Sequence, residues 1–327
     1  MSRTQWTLGW RPKMPVPTFP LRIPKNWEGN MHVEIVGVPM DLGAGRPGSA
    51  LGPDELRRAG LRAALESMGN TVTDIGNVEV PARDMLSEGD PKLRYLDTIR
   101  GVARCVRDAT AGAVSRGSVP LVLGGDHSLS IGSIRGVAQH KRLGVLWLDA
   151  HGDFNTREST HSGNIHGMPL SALVGLGDER LIHLDGHPVP LINPANVVLF
   201  GVRDLDPGES ELLDESEVSV FSMAEIRRQG VAGAMARALE VVSRRTDGVY
   251  VSFDLDGIDP ADAPGVGIPV WHGLTREDCT QVCALLRASG QVVGVDLVEL
   301  DPGRDARGRT ASLAVELASL LLRSASP

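Results

Sequence analysis

The sequence predicts an α/β protein with a single-domain, three-layer fold, in which a largely parallel sheet is flanked by helices on both sides. From Met31 onward, short β-branched runs alternate with longer stretches of helical periodicity, the pattern of strand–helix–strand units whose crossovers make neighbouring strands parallel. No internal repeat, low-complexity tract or linker divides the 327 residues, which favours one large sheet over two domains. Polar motifs follow directly on several of the apolar runs, as they do where strand ends line a ligand crevice.

Residues 1–30 stand apart from this pattern. Trp6, Trp10 and Trp27 sit among Pro12, Pro15, Pro17, Pro20 and Pro24. The prolines forbid a regular helix and favour extended backbone, while the indoles need a surface to bury against. The segment lacks the apolar core and cleavage site of a secretion signal. It is expected to be an arm that packs on its own domain or on a neighbouring subunit, ahead of a catalytic domain over 31–327.

Within that domain the first strand is expected at 32–38, where HVEIVGV is apolar and β-branched. A helix over 53–68 follows, opened by Gly52-Pro53-Asp54-Glu55, a proline and two acids where a helix N-terminus favours them. Further strands are expected at 119–123, 143–148, 196–201, 248–253 and 291–298. Helical periodicity places helices between and after them at 92–115, 129–140, 231–244, 276–288 and 310–322.

Composition excludes several function classes. A hydrophobic fraction of 42 % with 23 % charged residues is that of an ordinary globular protein, so neither disorder nor a fibre is expected. A net charge of -8 argues against a nucleic-acid partner, since phosphates call for a basic face. No apolar run approaches the roughly 18 to 20 residues of a membrane helix, so no membrane partner is expected. Cys105, Cys279 and Cys283 form neither an even framework nor a C-x-x-C pair, which points to a reducing, cytoplasmic setting.

The chemistry lies in three motifs at strand ends: GGDHS at 124–128, DAHGD at 149–153 and DLDGID at 254–259. Extended backbone turns residues i, i+2 and i+4 to one side, so Asp149, His151 and Asp153 share a face, as do Asp254 and Asp256. With His127 they bring four carboxylates and two imidazoles together, too much negative charge to gather without cations. Oxygen-rich, thiolate-free donors favour manganese or magnesium, and imidazole shifts the balance toward manganese, iron or cobalt. Six ligands exceed a tetrahedral zinc site but suit two ions about 4 Å apart, bridged by two aspartates. DLDGID alone also fits the nucleophile loop of haloacid-dehalogenase phosphatases, but that loop follows a first strand, and this one lies past residue 250.

Taken together these motifs resemble the ureohydrolase family, and arginases most closely. The resemblance runs from about Met31 to Ala318, beginning with EIVGVPMDLGAGRPGSALGP at 34–53, and DAHGDFNTRESTHSGNIHGMPL at 149–170 matches arginases without a gap. It implies a hydrolase acting on C–N bonds of linear amidines, with two manganese ions per subunit. His127, Asp149, Asp153 and Asp254 would hold one ion, and Asp149, His151, Asp254 and Asp256 the other. A small guanidino substrate, L-arginine, is implied, with its carboxylate held by Asn155, Thr160 and Ser162 and its amino group facing Asp206. Glu299 would pair with the guanidinium, Asp153 would orient the nucleophile, and His166 would shuttle the proton. The family also implies a homo-oligomer, a trimer or hexamer.

The chain departs from the arginase pattern in one loop. GVGIP at 265–269 carries Ile268 where arginases have threonine, and Trp271 and His272 follow where small or aliphatic residues are commoner. This leaves a modified guanidine, such as N-hydroxyarginine, a peptidyl arginine or a guanidino acid, as an alternative substrate. Asn155, Ser162 and Asp206 argue for a free amino acid and against agmatine. A deacetylase on the related histone-deacetylase fold would need one zinc and no counterpart of His127, Asp153 or Asp256. A non-catalytic binding or scaffold homologue would be expected to have broken ligands, and all six are intact.

Overall fold

The computed structural model describes residues 30–184 and 192–323. All but the last residue of the expected N-terminal arm lies outside the described residues. Eight strands form one sheet: β1 (His32–Val38), β2 (Thr71–Asn77), β3 (Val119–Gly124), β4 (Leu143–Leu148), β5 (Val197–Val202), β6 (Ser219–Ser222), β7 (Gly248–Asp254) and β8 (Val292–Val298). Their order is β2-β1-β3-β8-β7-β4-β5-β6, and every neighbouring pair is parallel.

The six inner strands are buried on both faces, and their alternation divides the core. Ile35, Leu123, Leu148, Val251 and Leu297 pack with helices α2 (Leu61–Ser67), α9 (Val231–Val242), α10 (Arg276–Ser289) and α11 (Arg309–Leu321). Val36 and Val122 turn the other way, under α3 (Leu96–Ser115). Val145, Trp147 and Tyr250 do the same under α4 (Ser130–Ala138). Side chains that alternate across a pleated strand thus fill two opposed layers, which is the three-layer arrangement.

The expected strands are all present, and the structure adds β2 and β6, the two edges of the sheet. In β2, TVTDIGN is exposed at every second residue along its first half, and β6 has only four residues. Neither offers the apolar run of a central strand. The helix expected over 53–68 is two helices, α1 (Gly52–Arg58) and α2, because Gly60 turns the chain with φ 90°, a conformation that glycine adopts without steric cost. The helix expected from 92 begins at Leu96, after Tyr95 at φ 55°. Short helices such as α5 (Pro169–Val174), α6 (Glu179–Ile182), α7 (Pro207–Asp214) and α8 (Met223–Gln229) fell below the length at which periodicity is legible. Among the described residues, no helix is long and apolar enough to cross a membrane.

Candidate active site

The four central strands, in the order β3-β8-β7-β4, carry the three polar motifs and Glu299 at their carboxyl ends. Their registers align Leu123, Leu297, Phe253 and Leu148 in one row. The next row therefore holds Gly124, Val298, Asp254 and Asp149, and the loops beyond it meet above the middle of the sheet.

His127 opens a short 3-10 turn, His127–Leu129, whose start is capped by Asp126 accepting a hydrogen bond from Ser128 N. The His127 ring stacks on Trp147 with centroids 4.0 Å apart, and its Nε2 lies 2.8 Å from Ser252 Oγ, so Nδ1 faces the carboxylates. That Nδ1 sits 3.2, 3.0 and 3.1 Å from oxygens of Asp149, Asp153 and Asp254, yet it is buried and makes no hydrogen bond. One imidazole nitrogen and three carboxylates thus surround a common point, as ligands surround an ion. His151 Nδ1 is likewise 3.3 Å from Asp149 and 3.1 Å from Asp256. Donor atoms of His127, Asp149 and Asp254 form one group and those of Asp149, His151 and Asp256 a second, each within 4.8 Å. Asp149, shared by both, is placed to bridge two ions. The donor set of oxygen and imidazole nitrogen, without sulfur, fits hard ions of the manganese type.

Electrostatics agree with that fit. Burial, then the charges of Asp256 and Asp149, push the Asp254 carboxyl well above its usual range. Burial and Asp149 lift Asp153 to about 6. Burial also disfavours the charged forms of His127 and His151, and the surrounding carboxylates overcome it and raise both. Cations at the centre would let these carboxylates all ionise. The protein has already fixed their orientation. Asp149 accepts from Trp147 Nε1 at 2.9 Å and His151 N at 2.7 Å, and Asp254 accepts from Asp256 N at 2.8 Å.

Beside this cluster lies a cleft of about 260 Å³, whose walls include His151, Asp153, Asn155, Thr160, Ser162, His166, Asp206, Asp254, Asp256, Ile268 and Glu299. His127 and Asp149, 1 % and 0 % exposed, are buried below its lining. Every expected substrate residue is therefore in one place. Asn155 Nδ2 donates to Asp206 at 3.1 Å, and Thr160 Oγ1 accepts from Gly163 N at 3.0 Å. Ser162 Oγ accepts from Asn164 N at 3.2 Å. Glu299 Oε1 accepts from His127 N at 3.0 Å and lies 3.0 Å from His166 Nδ1. Asp153 and Glu299 hold φ values of 51° and 64°, strained for side-chain-bearing residues and found here at the two acids nearest the chemistry. Of the three departures, Ile268 lines the cleft, whereas Trp271 and His272 are not part of its lining. Trp271 is 63 % exposed.

Sequence reasoning missed the supports. Glu209 accepts from Phe154 N at 2.7 Å and Asp206 N at 3.3 Å, tying the loop after β4 to the start of α7. Burial pushes its carboxyl up to about 8. Beneath His127, Ser252 contacts the fully buried Asp296, which also accepts from Ser130 at 2.7 Å, Ser133 at 2.8 Å and the Tyr250 hydroxyl. An aspartate inside the apolar run VVGVDLV was the visible signal for that network.

Known proteins resemble this chain in both sequence and fold. The model of the Arginase family matches residues 31–323. The arginase of Bacillus caldovelox is 44 % identical over 287 residues, 87 % of this chain and 96 % of that protein. Its native structure superposes with a TM-score of 0.86 at 43 % identity, covering 89 % of this chain and 98 % of that one. The Entamoeba histolytica arginase in complex with L-ornithine follows with a TM-score of 0.82 at 31 % identity, over 90 % and 99 % of the two chains. With strand order, metal-ligand set and cleft accounted for, the chain belongs to the arginase family.

Proposed function

We propose that this protein hydrolyses the guanidino group of L-arginine, giving urea and L-ornithine, with two manganese ions held by His127, Asp149, His151, Asp153, Asp254 and Asp256. The observation that carries the reading is the cleft itself, whose wall joins four of these donors, His151, Asp153, Asp254 and Asp256, with Glu299, Asn155, Thr160, Ser162 and Asp206. An α-amino acid bearing a terminal cation fits such a cleft, since its wall offers carboxylates for both cationic groups and amide and hydroxyl donors for the carboxylate. The relative bound to L-ornithine supports the same product.

Two such ions, when bound, supply the chemistry that brings the pKa of a water toward neutrality. The chain's own groups do the rest. Asp153, on the cleft wall, orients the nucleophile by accepting its proton in a hydrogen bond. Glu299 holds the guanidinium by charge-assisted hydrogen bonds in a near-attack pose. Against the pull of burial, Glu299 keeps the His166 imidazole protonated up to about 9, the form needed to give a proton to the departing nitrogen. Water is consumed, the C–N bond breaks, and the amine leaves as the ornithine ammonium.

A homo-oligomeric state, trimer or hexamer, and a cytoplasmic location belong to the same reading. Free Cys105, Cys279 and Cys283 support a reducing setting. The test is product analysis by mass spectrometry with L-arginine, N-hydroxy-L-arginine and agmatine, in the presence of manganese. Urea and ornithine from arginine, with agmatine far poorer, are expected. Agmatine as the best substrate would overturn the roles given to Asn155, Ser162 and Asp206.

A further inference from the structure

Arg203 lies just after β5, outside every ligand set discussed above, yet its side chain meets two functional loops. Its Nη2 donates to the carbonyls of Asp256 at 2.7 Å and Val270 at 2.8 Å. Its Nη1 donates to Gly257 O at 3.2 Å, and Nε to Trp271 O at 3.2 Å. Its own backbone N donates to Ala150 O at 2.8 Å, between the metal-site residues Asp149 and His151. We infer that Arg203 is a positioning residue that locks the Asp256 side of the metal centre to the loop bearing Ile268, so that retention of one ion and recognition of the guanidine end depend on the same side chain. The inference rests on the two-ion reading above.

The geometry is selective for arginine. A guanidinium presents five N–H donors in a rigid planar fork, so it reaches carbonyls on several sides at once, whereas a lysine ammonium projects its three donors from one point. These acceptors are main-chain carbonyls, so the side chain fixes backbone position. Asp256 is gripped at its carbonyl while its carboxylate lies 3.1 Å from His151 Nδ1, and rotation at one end moves the other. Val270 and Trp271 are two and three residues past Ile268, which lines the cleft. Space is reserved for the fork: a Cβ on Gly273 would fall 2.6 Å from Nη2. Burial disfavours the charge of Arg203, and the nearby carboxylates Asp256, Asp149, Asp259 and Asp254 oppose that effect. The cation therefore also offsets part of the negative charge of the cluster.

The experiment titrates metal-free wild type, Arg203→Lys and Arg203→Gln with MnCl2 by calorimetry, records their melts, and measures kcat and KM for L-arginine on the reloaded proteins. Arg203→Lys should fold, bind one ion with wild-type affinity and the other about 10- to 100-fold more weakly. At saturating manganese its KM should rise more than its kcat falls. A purely structural staple would lower the melting temperature and leave both ion affinities and KM alone. That outcome, or equal weakening of both ions, overturns the inference. Should Arg203→Gln fail to fold, the lysine variant decides alone; should lysine also fail to fold while retaining neither ion, the positioning role is refuted in favour of a structural one. Wild type that releases no urea defeats the functional reading instead, and the calorimetry still decides this one.

Discussion

Replacing Ile268 by threonine perturbs the one residue of the cleft wall that breaks the arginase pattern. Ile268 is 46 % exposed and lines both the substrate cleft and a neighbouring cavity of about 460 Å³ that shares Asn164, His166 and Glu299 with it. The loop runs close to Glu299, since a Cβ on Gly267 would lie 3.5 Å from Glu299 Oε2. A hydroxyl at 268 can therefore serve the guanidine end, where isoleucine offers only apolar surface. A hydrogen bond to a polar substrate group is worth about 1 to 1.5 kcal/mol net, so kcat/KM for L-arginine should rise roughly tenfold, the equivalent of about 1.4 kcal/mol. The side chain is only half-buried, so lost apolar burial should cost about 1 kcal/mol or less and lower the melting temperature by no more than about 2 to 4 °C. Steady-state kinetics on manganese-loaded wild type and variant, with a thermal melt of each, measure both numbers. A well-folded Ile268→Thr whose kcat/KM for arginine is unchanged or lower would refute the reasoning and make Ile268 a neutral packing choice.

Three further outcomes follow from the same geometry. Asp254→Asn removes a charge that faces His127 Nδ1 at 3.1 Å; it should lower manganese content as well as rate, by at least about tenfold in affinity, checked by metal analysis after dialysis. His166→Ala should keep both ions and lose rate by roughly 10² to 10⁴; an emptied metal site in that variant would make His166 a ligand instead. Arg135, 1 % exposed, donates to Leu181 O at 2.6 Å and Ala172 O at 2.8 Å, satisfying carbonyls of α6 and α5. Arg135→Met removes a buried charge but orphans both carbonyls, and a net loss of about 1 to 3 kcal/mol is expected in urea unfolding; no loss would mean that these carbonyls find other partners.

What could be read in the chain beforehand follows from how physical signals are distributed along it. Central strands such as LGVLWL and GVYVSFD are apolar on both faces, so β4 and β7 and the motifs that follow them were legible directly. Edge strands were not: β2 mixes Thr71, Asp74 and Asn77 into its run because one edge faces solvent. The six candidate metal ligands stood out because their spacing would serve one centre. Ser252, Glu209 and Arg203 act through contacts with residues far away in sequence, and no local pattern announces such a contact. Asp296 is the exception, a carboxylate where only apolar residues are expected. Ile268 is the clearest of the three departures in the sequence, and of the three it alone lines the cleft.

The most direct test of the account is reconstitution of the metal-free protein. After exhaustive chelation, arginine hydrolysis should be lost, and stepwise addition of manganese should restore urea release as binding reaches two ions per subunit. The bound ions should also raise the melting temperature, because they neutralise carboxylates that are buried together. Full urea release from rigorously metal-free protein, or saturation of activity at a single ion per subunit, would contradict the two-ion centre built from His127, Asp149, His151, Asp153, Asp254 and Asp256.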